Sequence, residues 1–124
     1  YFLSTYSARK LGMRTTGNAG GSHNLLVRPG KRDLVGLAAL MGRGLLVTEL
    51  IGMGFNPVTG DYSRGAAGLW IEDGRVVHAV EEITIAGQLG AMLAAIDLVG
   101  SDLLWAGALA APTVRIASMT VAGS

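Results

Sequence analysis

The chain has 124 residues, of which 50% are hydrophobic and 15% are charged, and its formal net charge is +1. A chain of this length fits one domain and buries roughly two-thirds of its extended surface on folding. Apart from Arg28, Lys31 and Arg32, the basic residues are scattered, so the sequence lacks the basic stripe of a nucleic-acid-binding protein. With no cysteine, the chain has neither a disulfide framework nor a thiolate metal site, as is usual in a reducing cytoplasm.

The mean hydropathy of +0.44 is high for a small domain and predicts apolar surface that another segment or a partner covers. A membrane is not the expected cover, because a spanning helix needs about 20 mostly apolar residues. The charge-free stretch between Glu82 and Asp97 is too short, and it contains Gly87, Gln88 and Gly90. We therefore predict no membrane span.

A capped helix is predicted in the first half of the chain. Asp33 can accept a hydrogen bond at its N-terminus, and the apolar residues that follow recur at spacings of three and four. Those residues are Leu34, Leu37, Ala38 and Met41. Gly42 and Gly44 are expected to end the helix, and the apolar run Leu45–Ile51 predicts a buried strand after it.

A β-hairpin has the strongest local signal in the sequence. Two runs rich in β-forming residues, Ala66–Ile71 and Arg75–Ile85, flank the dipeptide Asp73-Gly74. This dipeptide suits a type I′ turn, in which both central residues have positive φ. The alternation of apolar and polar residues slips at Glu82.

The remaining elements complete an α+β domain. They are a short strand at Asn24–Val27, a second helix opened by Gly87 and Gln88 and running to about Val99, and a last strand at Thr113–Val121. Strands that cluster around two helices without regular β-α-β alternation favour a largely antiparallel β-sheet with two main helices.

A catalytic metal site is not expected in this chain. A zinc peptidase needs converging ligands, most simply two His residues on one helical face with a nearby Glu. The only histidines, His23 and His78, are far apart in sequence, although a site built from them and distant carboxylates stays open. The adjacent Glu81 and Glu82 point to opposite faces of a regular strand, so they cannot share one proton without a bulge.

A polar segment, Asn56–Gly65, is the most distinctive part of the sequence. It can offer backbone N–H groups, Asp61 and Arg64 to an extended peptide or a partner. Alternatively, it can be a connection whose polar residues satisfy turn geometry, with Arg64 paired to Asp61 or Glu49. Glu49 is a carboxylate in an apolar strand, for which pairing with Arg43 or Arg64 is the simpler explanation. The candidate substrate- or partner-binding residues are Glu49, Asn56, Thr59, Gly60, Asp61, Tyr62, Ser63 and Arg64.

Successive blocks of the sequence resemble the TldE/PmbA branch of the TldD/PmbA family, in the same order along essentially the whole chain. The blocks are Tyr6–Gly12, Thr16–Ala19, Gly44–Gly52, Asn56–Ala66, Glu82–Gly87 and the terminal Met119–Gly123. The apolar stretch between Gly100 and Pro112 contains no motif that we recognise. Members of this family have an N-terminal and a C-terminal domain. The chain resembles the later part of the C-terminal domain only, so the N-terminal region is absent from it. Its start at Tyr1 also suggests a fragment.

The resemblance implies a zinc-less subunit of a cytoplasmic peptidase. In the family, the TldD branch carries an H-E-x-x-x-H zinc motif and a Cys ligand, whereas TldE-type subunits pair with TldD and support proteolysis of extended peptides. We therefore expect no cofactor in this chain, zinc in a TldD-like partner, and a peptide substrate. A second copy of this chain is the alternative partner; nucleic acid is not expected. Two other functions stay open: an interaction module unrelated to proteolysis, and a self-sufficient metallopeptidase.

Overall fold

The computed structural model describes residues 2–123, which form an α+β fold, as predicted. The three helices of this part of the chain are α1 (Thr5–Lys10), α2 (Leu34–Met41) and α3 (Leu89–Ala94). Its nine strands are β1 (Leu25–Leu26), β2 (Gly44–Ile51), β3 (Asp61–Glu72), β4 (Arg75–Gln88), β5 (Ile96–Val99), β6 (Leu104–Ala106), β7 (Leu109–Ala111), β8 (Val114–Ile116) and β9 (Thr120–Ala122). All strand pairs are antiparallel except β1 and β7.

The chain divides into two compact units, of which the smaller contains the residues up to Arg28 together with Leu104–Ala111. Its sheet has the order β1-β7-β6, so the predicted strand at Asn24–Val27 is confirmed in a shorter form. Helix α1 was not predicted; the Ser4 hydroxyl caps it by accepting a hydrogen bond from the Ser7 N–H at 3.2 Å. The β6–β7 hairpin lies in the apolar stretch in which no motif was recognised.

The larger unit contains Pro29–Leu103 and the chain from Pro112 onward, and its main sheet has the order β2-β3-β4-β9. The predicted hairpin is confirmed as β3 and β4, joined by Asp73 (φ 50°) and Gly74 (φ 72°). Glu82 has a φ of 55°, and near it the register shifts by a β-bulge. The slip in alternation at Glu82 therefore marks a bulge.

Helix α2 is confirmed at the predicted position. The Asp33 carboxylate accepts a hydrogen bond from the Gly36 N–H at 2.8 Å, and Gly42 is the C-cap. The strand that follows begins at Gly44, but the prediction that it is buried is wrong for its second half. Residues 44–47 are half-buried and residues 48–51 are exposed, since β2 is an edge strand of the sheet as described.

Two predicted elements near the C-terminus are wrong in extent. The second helix ends at Ala94, because residues 96–99 form β5 and pair with β8. The predicted last strand is interrupted at residues 117–119, and its two parts pair with different strands: β8 with β5, and β9 with β4. Pairing with strands distant in sequence therefore overrides the helical spacing of the apolar residues.

The core of the larger unit is small. Ala66, Ile83 and Ile85 form a buried cluster on β3 and β4, against which Leu45, Val47, Tyr62, Val80 and Met119 pack. Many large apolar side chains are exposed, including Met53 at 101% and Val58 at 91%, in accord with the high mean hydropathy. No helix among residues 2–123 has the length and apolar character that crossing a bilayer requires.

Candidate functional site

The predicted polar segment consists of two structurally different parts. Residues 56–60 form a turn after β2, whereas Asp61–Arg64 is the first part of β3 and pairs with residues 85–88 of β4. The prediction of a continuous loop is therefore wrong from Asp61 onward. We refer to Asn56–Gly60 as the polar turn.

Side chains of the polar turn are used mainly to hold its own backbone. The Asn56 side-chain carbonyl accepts hydrogen bonds from the N–H groups of Val58 at 2.9 Å and Thr59 at 3.3 Å. The Thr59 hydroxyl donates to the Asp61 carboxylate at 2.6 Å, and the Gly60 N–H donates to the Asn56 carbonyl at 2.8 Å. These contacts support the structural interpretation of Asn56, Thr59 and Asp61, whose polar groups stabilise the turn.

Arg64 does not form the ion pair that was considered for it. Its Nη2 donates to the Leu50 carbonyl oxygen at 3.3 Å, and no ion pair with Asp61 or Glu49 occurs in the described part of the chain. Its Nε is buried without a hydrogen-bond partner among those residues. Arg64 is therefore hydrogen-bonded to the β2 edge strand near the end of that strand.

Glu49 lies exposed on β2, after a β-bulge at Thr48. Arg43, the other candidate partner, has its Nε 3.9 Å from the Glu72 carboxylate, and its guanidinium lies 5.5 Å from the centre of the Trp70 ring. Pairing with Arg43 or Arg64 is thus a wrong explanation of Glu49, because exposure on an edge strand already leaves its charge solvated.

Five of the eight candidate residues line concavities of the larger unit, and they are divided between two separate ones. Asn56, Asp61 and Ser63 line a shallow recess of about 350 Å³ together with Met53, Gly54 and Phe55. Glu49 and Tyr62 line a cleft of about 940 Å³. The structure therefore does not bring the predicted residues into one cavity.

The cleft is mostly apolar, with charged groups among its lining residues. It lies among α2, the edge strand β2 and the C-terminal strands, and its apolar lining includes Leu37, Met41, Leu45, Met92, Met119 and Val121. Its volume is within the usual range for ligand sites. An apolar segment with a few polar contacts is the kind of ligand that this lining suits.

An ion pair that sequence analysis missed lies among the cleft-lining residues. Asp97 accepts two hydrogen bonds from the Arg115 guanidinium, at 2.8 and 2.7 Å, and Arg115 Nη1 also donates to the Leu40 carbonyl at 3.0 Å. The hydrogen bond from Arg115 lowers the pKa of Asp97. The Thr113 hydroxyl likewise lowers the pKa of Asp102, to which it donates at 2.6 Å. No pattern in the sequence predicts these two pairs. Asp97 and Arg115 lie on paired strands, and Asp102 lies in the loop after β5.

Gln88 is a further residue whose contacts the sequence did not predict. Its side-chain oxygen accepts a hydrogen bond from the Ala91 N–H at 2.9 Å, and its side-chain nitrogen donates to the Thr59 carbonyl at 3.4 Å. The sequence placed Gln88 at the start of a helix, which could have suggested a cap. It contained no sign of the contact with the polar turn.

The histidines and paired glutamates form no metal site in the structure. His78 is exposed on β4 opposite Trp70, and His23 is exposed in a loop. Within residues 2–123, no three His, Cys, Asp or Glu side chains lie together in a way that could hold a metal ion. Glu81 and Glu82 lie within the β-bulge between Val80 and Ile83, and both are exposed.

Comparison with known proteins identifies the family. The model of the PmbA/TldA metallopeptidase C-terminal domain matches residues 1–123. The chain belongs to the PmbA/TldD family. This confirms the resemblance of the sequence blocks, and it places the domain among C-terminal domains of the family.

Curated relatives and solved structures agree with this membership. The chain is 46% identical to the metalloprotease PmbA homolog of Haemophilus influenzae over 125 residues, covering 100% of this chain and 28% of the relative. It is 45% identical to metalloprotease PmbA of Escherichia coli O157:H7 over 123 residues, covering 99% and 27%. A crystal structure of a candidate modulator of a DNA gyrase from Thermotoga maritima superimposes with a TM-score of 0.88 at 38% identity, covering 98% of this chain and 30% of that one. The domain therefore spans less than a third of these relatives.

Proposed function

We propose that this domain belongs to a zinc-less accessory subunit of a cytoplasmic TldD/TldE-type peptidase, and that it helps to hold an extended peptide. The observation that carries the proposal is membership of a metallopeptidase family along residues 1–123, in a chain with no cysteine and two separated histidines. Curated relatives named metalloprotease PmbA support the link to proteolysis. The zinc chemistry is assigned to a TldD-like partner, where the metal would activate water.

The edge of the main sheet supports a peptide as the ligand. β2 ends the strand order β2-β3-β4-β9, so the side of β2 that faces away from β3 carries backbone groups suited to pairing with an added strand. Residues 44–50 of this strand line the cleft. Backbone pairing accepts many sequences, and the apolar cleft would accommodate side chains without strict selection.

Glu49 is the side chain on which the proposal makes a direct prediction. It lies on the exposed half of the edge strand and lines the cleft, so its charge would favour a peptide with a basic residue or a free amino group there. We expect Glu49→Gln to raise KM for such peptides by about three- to fivefold, as for a partly exposed ion pair. Peptides without a nearby positive charge should be cleaved as before.

The experiment uses the full-length protein together with a TldD-like zinc subunit. Native mass spectrometry should detect a mixed complex in which the zinc belongs to the TldD-like subunit, and peptide cleavage should require both proteins. Glu81→Gln, an exposed change on β4, is the matched control for Glu49→Gln. Full cleavage by the zinc subunit alone would overturn the proposal. Stoichiometric zinc in this protein, lost on changing His23 or His78, would instead indicate a self-sufficient metallopeptidase, and a stable complex with an unrelated partner would indicate an interaction module.

A further inference from the structure

We infer that Gln88 is a positioning residue that couples the polar turn to helix α3 and thereby to the cleft. Its role in peptide binding rests on the proposed function, whereas the coupling itself rests on contacts within the larger unit. Gln88 is the last residue of β4 and the N-cap of α3, with an extended backbone (φ −110°, ψ 124°). It therefore lies where a strand, a helix and the turn meet.

The amide side chain of Gln88 makes two contacts of opposite polarity. Its Oε1 accepts from the Ala91 N–H at 2.9 Å, which satisfies one of the unpaired N–H groups in the first turn of α3. Its Nε2 donates to the Thr59 carbonyl oxygen at 3.4 Å. An amide is suited to both contacts because it carries an acceptor and a donor on one planar group.

A backbone contact reinforces the link between turn and helix. The Leu89 N–H donates to the Gly60 carbonyl oxygen at 2.8 Å, and Asp61 pairs with Gln88 across β3 and β4. At Gly60 the φ is +79°, and a Cβ would lie 2.5 Å from the Gln88 Nε2. The Gln88 side chain thus lies directly over a glycine, and this close approach fixes the turn against the start of α3.

Helix α3 also borders the cleft. Met92 lies among the cleft-lining residues, one position after the amide that Gln88 caps. The helix has only six residues, and a segment this short depends on its caps and packing rather than on its own helical propensity. A ligand that orders the polar turn should therefore also order the start of α3, the helix that carries the cleft-lining Met92.

The Gln88→Glu variant separates the two contacts. A carboxylate keeps an acceptor for the Ala91 N–H but replaces the donor to the Thr59 carbonyl with a second acceptor. We expect amide hydrogen exchange, measured by NMR, to accelerate about fivefold at Thr59, Gly60 and Leu89, as for the loss of one hydrogen bond. Exchange at Ala91 should not accelerate, because its N–H keeps an acceptor that is now charged. Gln88→Leu removes both contacts and should accelerate exchange at all four amides.

Peptide kinetics with the full-length complex supply the functional test. Gln88→Glu should raise KM about threefold or more while kcat changes little, because the turn loses its position and not a reacting group. Val77→Glu, which adds one negative charge at an exposed position of the same strand, is the control for the charge change. Unchanged exchange at Thr59 and Gly60 in Gln88→Glu would overturn the coupling. Accelerated exchange with an unchanged KM would overturn the positioning role of Gln88 and leave the proposed function intact. Cleavage that needs no accessory subunit would contradict the proposed function. In that case the exchange rates alone would decide whether Gln88 couples the polar turn to α3.

Discussion

The β3–β4 hairpin and the β5–β8 pair are both antiparallel, but they are built in different ways. The hairpin strands are neighbours in sequence, joined by Asp73 and Gly74, and they carry the buried cluster of Ala66, Ile83 and Ile85. The β5–β8 pair joins strands separated by the segment that contains β6 and β7. Closing a short turn costs less conformational entropy than closing a long loop.

The two pairs also differ in what stabilises them. Burial of apolar side chains stabilises the hairpin, where Ile71 is fully buried. The β5–β8 pair has no fully buried side chain among its described residues, and it is held by polar contacts from Asp97 and Arg115. The hairpin should therefore tolerate changes in pH and resist local opening, whereas the β5–β8 pair should respond to pH and should open locally more readily.

Truncating the hairpin core should have the largest effect on stability. Ile71→Ala removes a side chain with 0% exposure and leaves a cavity, so we expect the free energy of unfolding to fall by about 2–5 kcal/mol. Urea denaturation monitored by Trp fluorescence measures this change. Val76→Ala, at a position that is 57% exposed, is the control and should cost less than about 0.5 kcal/mol. Equal losses in the two variants would show that the hairpin is not stabilised mainly by burial.

Straining the hairpin turn should have an intermediate effect. Gly74 has a φ of 72°, and an added Cβ would lie 2.8 Å from the Ala39 Cα, so Gly74→Ala should cost about 1–3 kcal/mol. Thermal unfolding followed by circular dichroism measures this loss. Gly107→Ala, in the β6–β7 turn, places its Cβ in open space at a φ of 62° and should cost less. If Gly107→Ala lost more stability than Gly74→Ala, the contact between the new Cβ and Ala39 would have to be relieved without cost.

Protonation of Asp97 at low pH should have the smallest effect, and this effect should fall on the β5–β8 pair. The pKa of Asp97 is below its ordinary value of 3.8 in the folded protein, so the ion pair contributes fully above that value and its contribution is lost as the pH falls through the lower, folded pKa. Asp97→Asn should destabilise the protein at neutral pH and lose this excess destabilisation in acid. NMR hydrogen exchange at the paired strands would detect the loss locally. If the stability difference between Asp97→Asn and wild type did not shrink in acid, the Asp97–Arg115 ion pair would not be its cause.

The elements that were predicted correctly are those with signals inside a few residues of sequence. Asp33 caps α2 through a contact three residues away, and Asp73-Gly74 suits the positive φ of the hairpin turn. The wrong predictions depend on pairing across the chain. The apolar residues from Ile96 to Val99 fit a helical spacing, yet they form a strand because β8 lies beside them.

In the candidate site, too, the short-range features were predicted correctly and the long-range contacts were not. The polar segment was found because Asn, Asp and Gly favour turns, and the structure confirms a turn at Asn56–Gly60. Its assumed contacts were wrong: Arg64 bonds the Leu50 carbonyl, and Glu49 pairs with neither candidate arginine among the described residues. Side-chain partners depend on the register between strands, which one bulge shifts by a residue.

The amino-acid sequence is enough to predict the family, the α+β class, the capped helix and the hairpin, because ordered motifs, cap residues and turn residues act over short distances. It does not predict that β5 is a strand, that the C-terminal strand is interrupted between two sheets, or that Gln88 joins the polar turn to α3. These features depend on contacts between segments distant in sequence. The free energy that stabilises them comes from strand pairing and side-chain packing, which no local sequence pattern specifies.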